Sequence, residues 1–155
     1  MPTVGSKAPA FSLQDQSGTT HTLAEQKGKW TLLYFYPKDD TPGCTTEACT
    51  IRDFWGDFEN IGVRVFGIST DPVKSHAKFA DKFKLPFPIL ADEEKKMVEA
   101  YGVWGKKKFM GREYMGTNRV SFLVDPDGRV AKVYAAVKPA THAVEVLADL
   151  KGLVK

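Results

Sequence analysis

The side chains best suited to chemistry in this 155-residue chain are two cysteines, Cys44 and Cys49. Cys44 follows Thr41-Pro42-Gly43, where an apolar run from Trp30 to Pro37 gives way to a segment with helical periodicity. A cysteine in the first turn of a helix faces backbone N–H groups that lack intrahelical acceptors. It also feels the positive end of the helix dipole. Both effects favour thiolate over thiol, and the thiolate is the nucleophile. The competing reading is an inert cysteine packed as a small hydrophobe. The Asp, Thr, Pro and Gly neighbours, and the strand-to-helix junction, argue against it. Cys49 is five residues further on, and on its own it fits a core residue as well as a redox partner. CxxxxC is neither a CxxC redox motif nor a zinc-ligand spacing. The nearest histidines in sequence, His21 and His76, lie outside the helix, so no metal site is expected.

The elements that must position Cys44 follow from periodicity. Trp30–Pro37 reads as a central strand buried on both faces. From Thr45 to Asn60, Ala48, Ile51, Trp55 and Phe58 recur at helical spacing, which predicts one helix. PAFSLQDQSGTTHTL reads as an N-terminal strand pair turning at Ser17-Gly18. VRVFGIST is a second core strand, Ser75–Phe83 a helix, FPILAD a short strand, and Glu93–Tyr101 a helix stopped by Gly102. RVSFLVDPDGRVAKVYA reads as a hairpin about Pro126-Asp127-Gly128. Ala140–Leu150 is a last helix, expected to bury Val144 and Leu147. Alternating strands and helices define an α/β fold with a mixed sheet, read as one domain over 1–155.

Composition narrows the class. With 43% hydrophobic and 26% charged residues the chain resembles a folded globular domain. A net charge of +3, its signs interspersed, is no nucleic-acid footprint. Lys106-Lys107-Lys108 reads as a solvated loop. No stretch approaches the length of a membrane span, and the N-terminal residues lack a signal or transit pattern. The expected compartment is the cytoplasm, where a cysteine pair is more often catalytic or redox-sensing than structural.

The stretch YFYPKDDTPGCTTEAC, Tyr34 to Cys49, closely resembles the peroxiredoxins of the bacterioferritin-comigratory, or Q-type, subgroup. The family signature PxxxTxxC is present as Pro37, Thr41 and Cys44. KAPAFSL before it and YGVWGKKKFMGREYMGTNRVSFLVDPDG after it extend the resemblance over nearly the whole chain. The resemblance implies a thioredoxin-like fold and a thiol peroxidase for hydrogen peroxide and organic hydroperoxides. In such an enzyme Cys44 becomes a sulfenic acid, Cys49 resolves it as an intramolecular disulfide, and a dithiol donor such as thioredoxin recycles it. The subgroup also implies a monomer and no cofactor. Arg119 matches the family arginine, with Arg52 and Arg112 as rivals expected on solvated faces. Thr41 is expected to hydrogen-bond thiolate and peroxide, Gly43 and Cys44 N–H groups to support the reacting oxygens, and Pro37 and Pro42 to shape the loop and exclude water.

Further candidates carry two readings each. Glu47, three residues after Cys44, is either a proton relay or a surface carboxylate favoured in a first helical turn. Trp55, Phe83, Phe87 and Trp104 either line the approach to Cys44 or pack in the core. His21, His76 and His142 fit no base–nucleophile pattern and are expected at the surface. Other classes remain as alternatives: a thiol–disulfide oxidoreductase without peroxidase activity, and a binding module whose cysteines only sense redox state.

Overall fold

A computed structural model describes residues 1–154. β1 (Ser12–Gln14) and β2 (Thr20–Thr22) form the expected N-terminal pair. The main sheet is built from β3 (Thr31–Phe35), β4 (Arg64–Ser69), β5 (Ile89–Ala91), β8 (Ser121–Val124) and β9 (Val130–Tyr134). Its order is β5-β4-β3-β8-β9, with β4 and β5 parallel to β3 and β8 antiparallel to it. β3 is therefore central, and all five of its residues are buried. Its alternate side chains serve two cores. Leu32, Tyr34 and Tyr36 face a cluster that also holds Cys44, Ile51, Phe58, Phe79 and Val146. Leu33 and Phe35 face a second cluster with Phe66, Ile68, Val98, Tyr101 and Phe122. This is a thioredoxin-like α/β arrangement, as expected.

The helix that carries both cysteines begins earlier than its periodicity suggests. α1 spans Pro42–Asp53, with Thr41 as an extended N-cap and Pro42 at the first helical position, where a missing N–H costs nothing. The predicted single helix is two. The chain turns at Phe54 (φ −100°, ψ 15°), and α2 runs Trp55–Ile61. Gly56, a weak helix former, follows the break, and the turn lets Trp55 stack on Phe87 at 5.7 Å. Gly62, at φ 82°, closes α2 by donating to Phe58 O and Glu59 O.

α3 spans Val73–Phe83. α4 is shorter than expected, Lys96–Ala100, because the buried Asp92 carboxylate caps the Met97 and Val98 N–H groups and sets the start there. α5 spans His142–Leu153 and buries Ala143, Val146, Leu147 and Leu150. Val144, expected inside, is 51% exposed because it lies off that stripe. A further hairpin, β6 (Trp104–Phe109) and β7 (Arg112–Thr117), was not anticipated. It replaces the solvated loop assigned to Lys106-Lys107-Lys108. Met110 (φ 51°) and Gly111 (φ 79°) form its two-residue turn, and both positions need positive φ. Methionine is a poor signal for such a turn, and neither strand alternates cleanly.

Candidate active site

Cys44 is the third residue of α1 and is 2% exposed. The helical ladder opens with Thr45 N–H donating to Thr41 O at 2.8 Å. The Gly43 and Cys44 amides therefore precede it and have no acceptor within the helix. Arg119 reaches back from the segment before β8 and donates from Nη2 to Cys44 Sγ at 3.2 Å. Its other terminal nitrogen, Nη1, donates to Glu47 Oε1 at 2.7 Å. Gly43 leaves room for this approach: a Cβ there would lie 3.0 Å from Arg119 Nη2, which would have to shift by a few tenths of an ångström. Arg119 is thus the arginine that touches Cys44. Arg52 is occupied elsewhere, donating to Phe83 O and Asp53, and Arg112 is exposed on the hairpin.

Thr41 Oγ1 donates to Lys38 O at 2.8 Å. With its proton committed, the hydroxyl offers lone pairs to a donor. Pro37, Lys38, Thr41, Cys44 and Arg119 line one cavity of about 570 Å³, completed by Trp104, Lys107, Phe109, Tyr114, Met115 and Thr117. Trp104 therefore lines the approach to Cys44. Phe87 is fully buried core, and Trp55 and Phe83 pack against that core.

Glu47 is no surface carboxylate. It is 1% exposed, one turn below Cys44, and its Oε2 has no hydrogen-bond partner among the described residues. Burial raises its pKa from 4.5 to about 7, against the opposing pull of Arg119. Tyr34 lies near it, its own hydroxyl buried without a partner among the described residues. A Cβ on Gly67 would meet the Tyr34 ring at 2.7 Å, so β4 needs glycine there to seat it. Lys107 points inward from β6 and donates to Thr117 O at 2.9 Å. Burial lowers its pKa, and Arg119 lowers it further.

Cys49 lies on the same helix, half-buried, and both thiols are free. Two histidines expected at the surface are buried: His76 at 0% and His142 at 1%. Each is held by partners distant in sequence. His142 Nε2 meets Ser121 Oγ at 2.8 Å, and His76 meets Asp39 and Leu90 O. His21 is partly exposed and pairs with Asp15 at 2.7 Å.

Residues 4–133 match the model of the AhpC/TSA family, and the chain belongs to that family. Within it, its relatives are peroxiredoxins of the bacterioferritin-comigratory, or Q-type, group. It is 46% identical to Peroxiredoxin Bcp of Bacillus subtilis over 97% of this chain and 96% of that one. It is also 46% identical to Peroxiredoxin Bcp of Escherichia coli, over 95% and 94% respectively. Among solved structures, a PrxQ mutant from Xylella fastidiosa superposes with a TM-score of 0.94 at 33% identity, covering 100% and 99% of the two chains. The Bacterioferritin Comigratory Protein of Xanthomonas campestris, studied for alkyl peroxide reduction, gives 0.88 at 38% identity over 94% and 92%. Among the described residues, no helix is long and apolar enough to cross a membrane.

Proposed function

We propose that this chain is a thiol peroxidase in which Cys44 reduces hydrogen peroxide and organic hydroperoxides, and Cys49 completes the cycle. The observation that carries the reading is the 3.2 Å contact from Arg119 to Cys44 Sγ at the N-terminus of α1, beside an open cavity. The guanidinium and the free amides of the first turn stabilise negative charge on sulfur and on the oxygens that share it in the transition state.

The Cys44 thiolate attacks the terminal peroxide oxygen. An S–O bond forms, the O–O bond breaks, and the leaving alkoxide or hydroxide takes a proton. Glu47, with a pKa of about 7, is matched to supplying that proton. Thr41 Oγ1 accepts from the peroxide O–H, and Pro37 and Pro42 shape the loop that shelters the thiolate. Cys49 then displaces water from the Cys44 sulfenic acid, giving a disulfide. A dithiol protein of the thioredoxin kind reduces it, and a monomer suffices because both cysteines are in one chain. No step calls for a metal or an organic cofactor.

Cys44→Ser tests the assignment, because serine supplies almost no alkoxide at neutral pH. Peroxide consumption with a dithiol reductant should vanish in this variant. Sustained turnover by it would refute Cys44 as the nucleophile. Reduction of a protein disulfide substrate by wild type without peroxide consumption would instead favour an oxidoreductase.

A further inference from the structure

The segment that carries Pro37 and Thr41 into the site has no regular structure between the end of β3 and the start of α1. One bond is internal to it, from Thr41 Oγ1 to Lys38 O, and Asp40 sits at φ 54°, in the left-handed region, which aspartate can visit as a single residue. The rest of its support comes from other parts of the fold.

That support converges on Asp39, which is only 8% exposed. Tyr36 Oη donates to its Oδ1 at 2.5 Å, and Ser75 Oγ donates to its Oδ2 at 2.8 Å. His76 Nδ1 lies 2.7 Å from the same Oδ2. The Asp39 N–H donates to Asp71 Oδ2 at 2.9 Å, and that oxygen also accepts from Ser69 Oγ at 2.7 Å. His76 Nε2 faces Leu90 O at 2.8 Å. A carbonyl oxygen only accepts, so Nε2 is the donor in that contact. α3 grips the loop a second time through Lys82 and Asp40, 2.8 Å apart at the surface. Asp39, Asp71 and His76 also form a trio of potential metal ligands within 4.8 Å of one another. Internal donors already fill the carboxylate oxygens that face inward, so the trio is tied together rather than arranged to receive an ion.

We propose that the Asp39–His76 pair is a clamp by which α3 positions the loop from Pro37 to Thr41, and so sets the rate of the peroxide step without touching the peroxide. It rests on the Cys44 peroxidase reading above. Asp39 and His76 are positioning residues. Releasing them lets Thr41 drift from the reacting oxygens and loosens the N-cap of α1. The same release does not hinder the opening of α1 that brings Cys49 to Cys44, so the two half-reactions respond differently.

The test follows each half-reaction separately in single-turnover mixing with hydrogen peroxide, beside thermal unfolding. Asp39→Ala should slow Cys44 oxidation by about tenfold or more, as loss of positioning does, and leave disulfide formation as fast as in wild type or faster. Asp39→Asn should recover most of the loss, since an amide still accepts from Tyr36 and donates to a neutral His76 Nδ1. Ser75→Ala removes one donor from a half-buried site, and should slow oxidation by about threefold, the weight of one hydrogen bond. It keeps the proposal testable if Asp39→Ala does not fold. The proposal is overturned if the folded variants oxidise at the wild-type rate, or if both half-reactions slow together in proportion to lost thermal stability. A wild-type protein that does not react with peroxide would sink the peroxidase reading instead.

Discussion

Cys44 and Cys49 share one helix, yet their surroundings differ in nearly everything that governs a thiol. Cys44 sits at the N-terminal end, 2% exposed, with a guanidinium at 3.2 Å and free backbone amides beside it. Cys49 sits at mid-helix, half-buried, where the backbone amides are bonded within the helix. Burial pushes its thiol pKa up, with Arg52 pulling the other way. The Cys44 end is also braced by Arg119, which bonds both Cys44 and Glu47 of α1, and by the loop anchored on α3. The stretch toward Cys49 carries Thr46 and Thr50, whose hydroxyls bond back to Pro42 O and Thr46 O. Such back-bonding weakens and bends helices. On the proposed mechanism, one end reacts first and the other lets go afterwards.

The sharpest way to separate the two ends is Cys49→Ser. Cys44 should still consume one equivalent of peroxide at the wild-type rate. The intramolecular disulfide should be lost entirely, and excess peroxide should drive Cys44 to sulfinic acid. Intact-mass and peptide mass spectrometry distinguish these products. A Cys44 disulfide that persists without Cys49 would place the resolving thiol in another molecule.

Arg119→Ala attacks the other end. Removing a charged donor from a reacting centre costs about two to three orders of magnitude, so Cys44 oxidation by peroxide should slow by about that factor. Arg119→Lys should restore only part, because an ammonium cannot fork between Sγ and Glu47 Oε1. Stopped-flow oxidation with hydrogen peroxide reads the rate in both variants. Unchanged values in the alanine variant would remove Arg119 from the site.

Glu47 offers a smaller and distinct effect, on stability. Its carboxyl titrates at about 7 when folded, against an ordinary 4.5. The folded state therefore holds a proton that the unfolded chain has already released between those values. Stability should fall as pH rises from about 4.5 to 7, by roughly 2–3 kcal/mol from this group. Glu47→Gln should flatten that part of the profile in urea unfolding. Parallel curves for the two proteins would mean that Glu47 is ionised throughout.

How much of this was legible in the sequence depended on how far each partner lay along the chain. β3 was readable because a run buried on both faces leaves a continuous apolar signature. The placement of Cys44 was readable because Thr41, Pro42 and Gly43 are local helix-start chemistry, and Pro37, Thr41 and Arg119 came from family resemblance. Glu47 remained open between two readings because the partner that settles it, Arg119, is 72 residues away. His76 and His142 were misplaced for the same reason: their partners Asp39 and Ser121 are 37 and 21 residues distant. Lys107 was hidden inside a charge run, where strand alternation turns one lysine inward and leaves Lys106 and Lys108 exposed.

The smallest effect tests whether the two ends of α1 must part during the cycle. Positions five apart on a regular helix are about 140° apart around the axis and about 7.5 Å along it, which puts their Cα atoms roughly 8.7 Å apart. A disulfide needs less than about 7 Å. Cys44 and Cys49 both lie within Pro42–Asp53, so the bond requires part of α1 to open first. If opening precedes bonding, anything that stabilises the helix should slow the disulfide and spare the peroxide step. Thr46 is exposed, and its hydroxyl donates to Pro42 O, so Thr46→Ala chiefly changes helix propensity and that bond. Alanine gains up to about 0.5 kcal/mol over threonine in a helix, which lowers the open population, and hence the rate of disulfide formation, by about twofold. Oxidation of Cys44 should keep its wild-type rate. Hydrogen exchange gives the independent reading: amides from Thr45 to Arg52 should lose protection in the disulfide form, while those of β3 keep it. Equal protection in both redox forms, with unchanged disulfide kinetics in Thr46→Ala, would mean that the cysteines meet without unwinding α1.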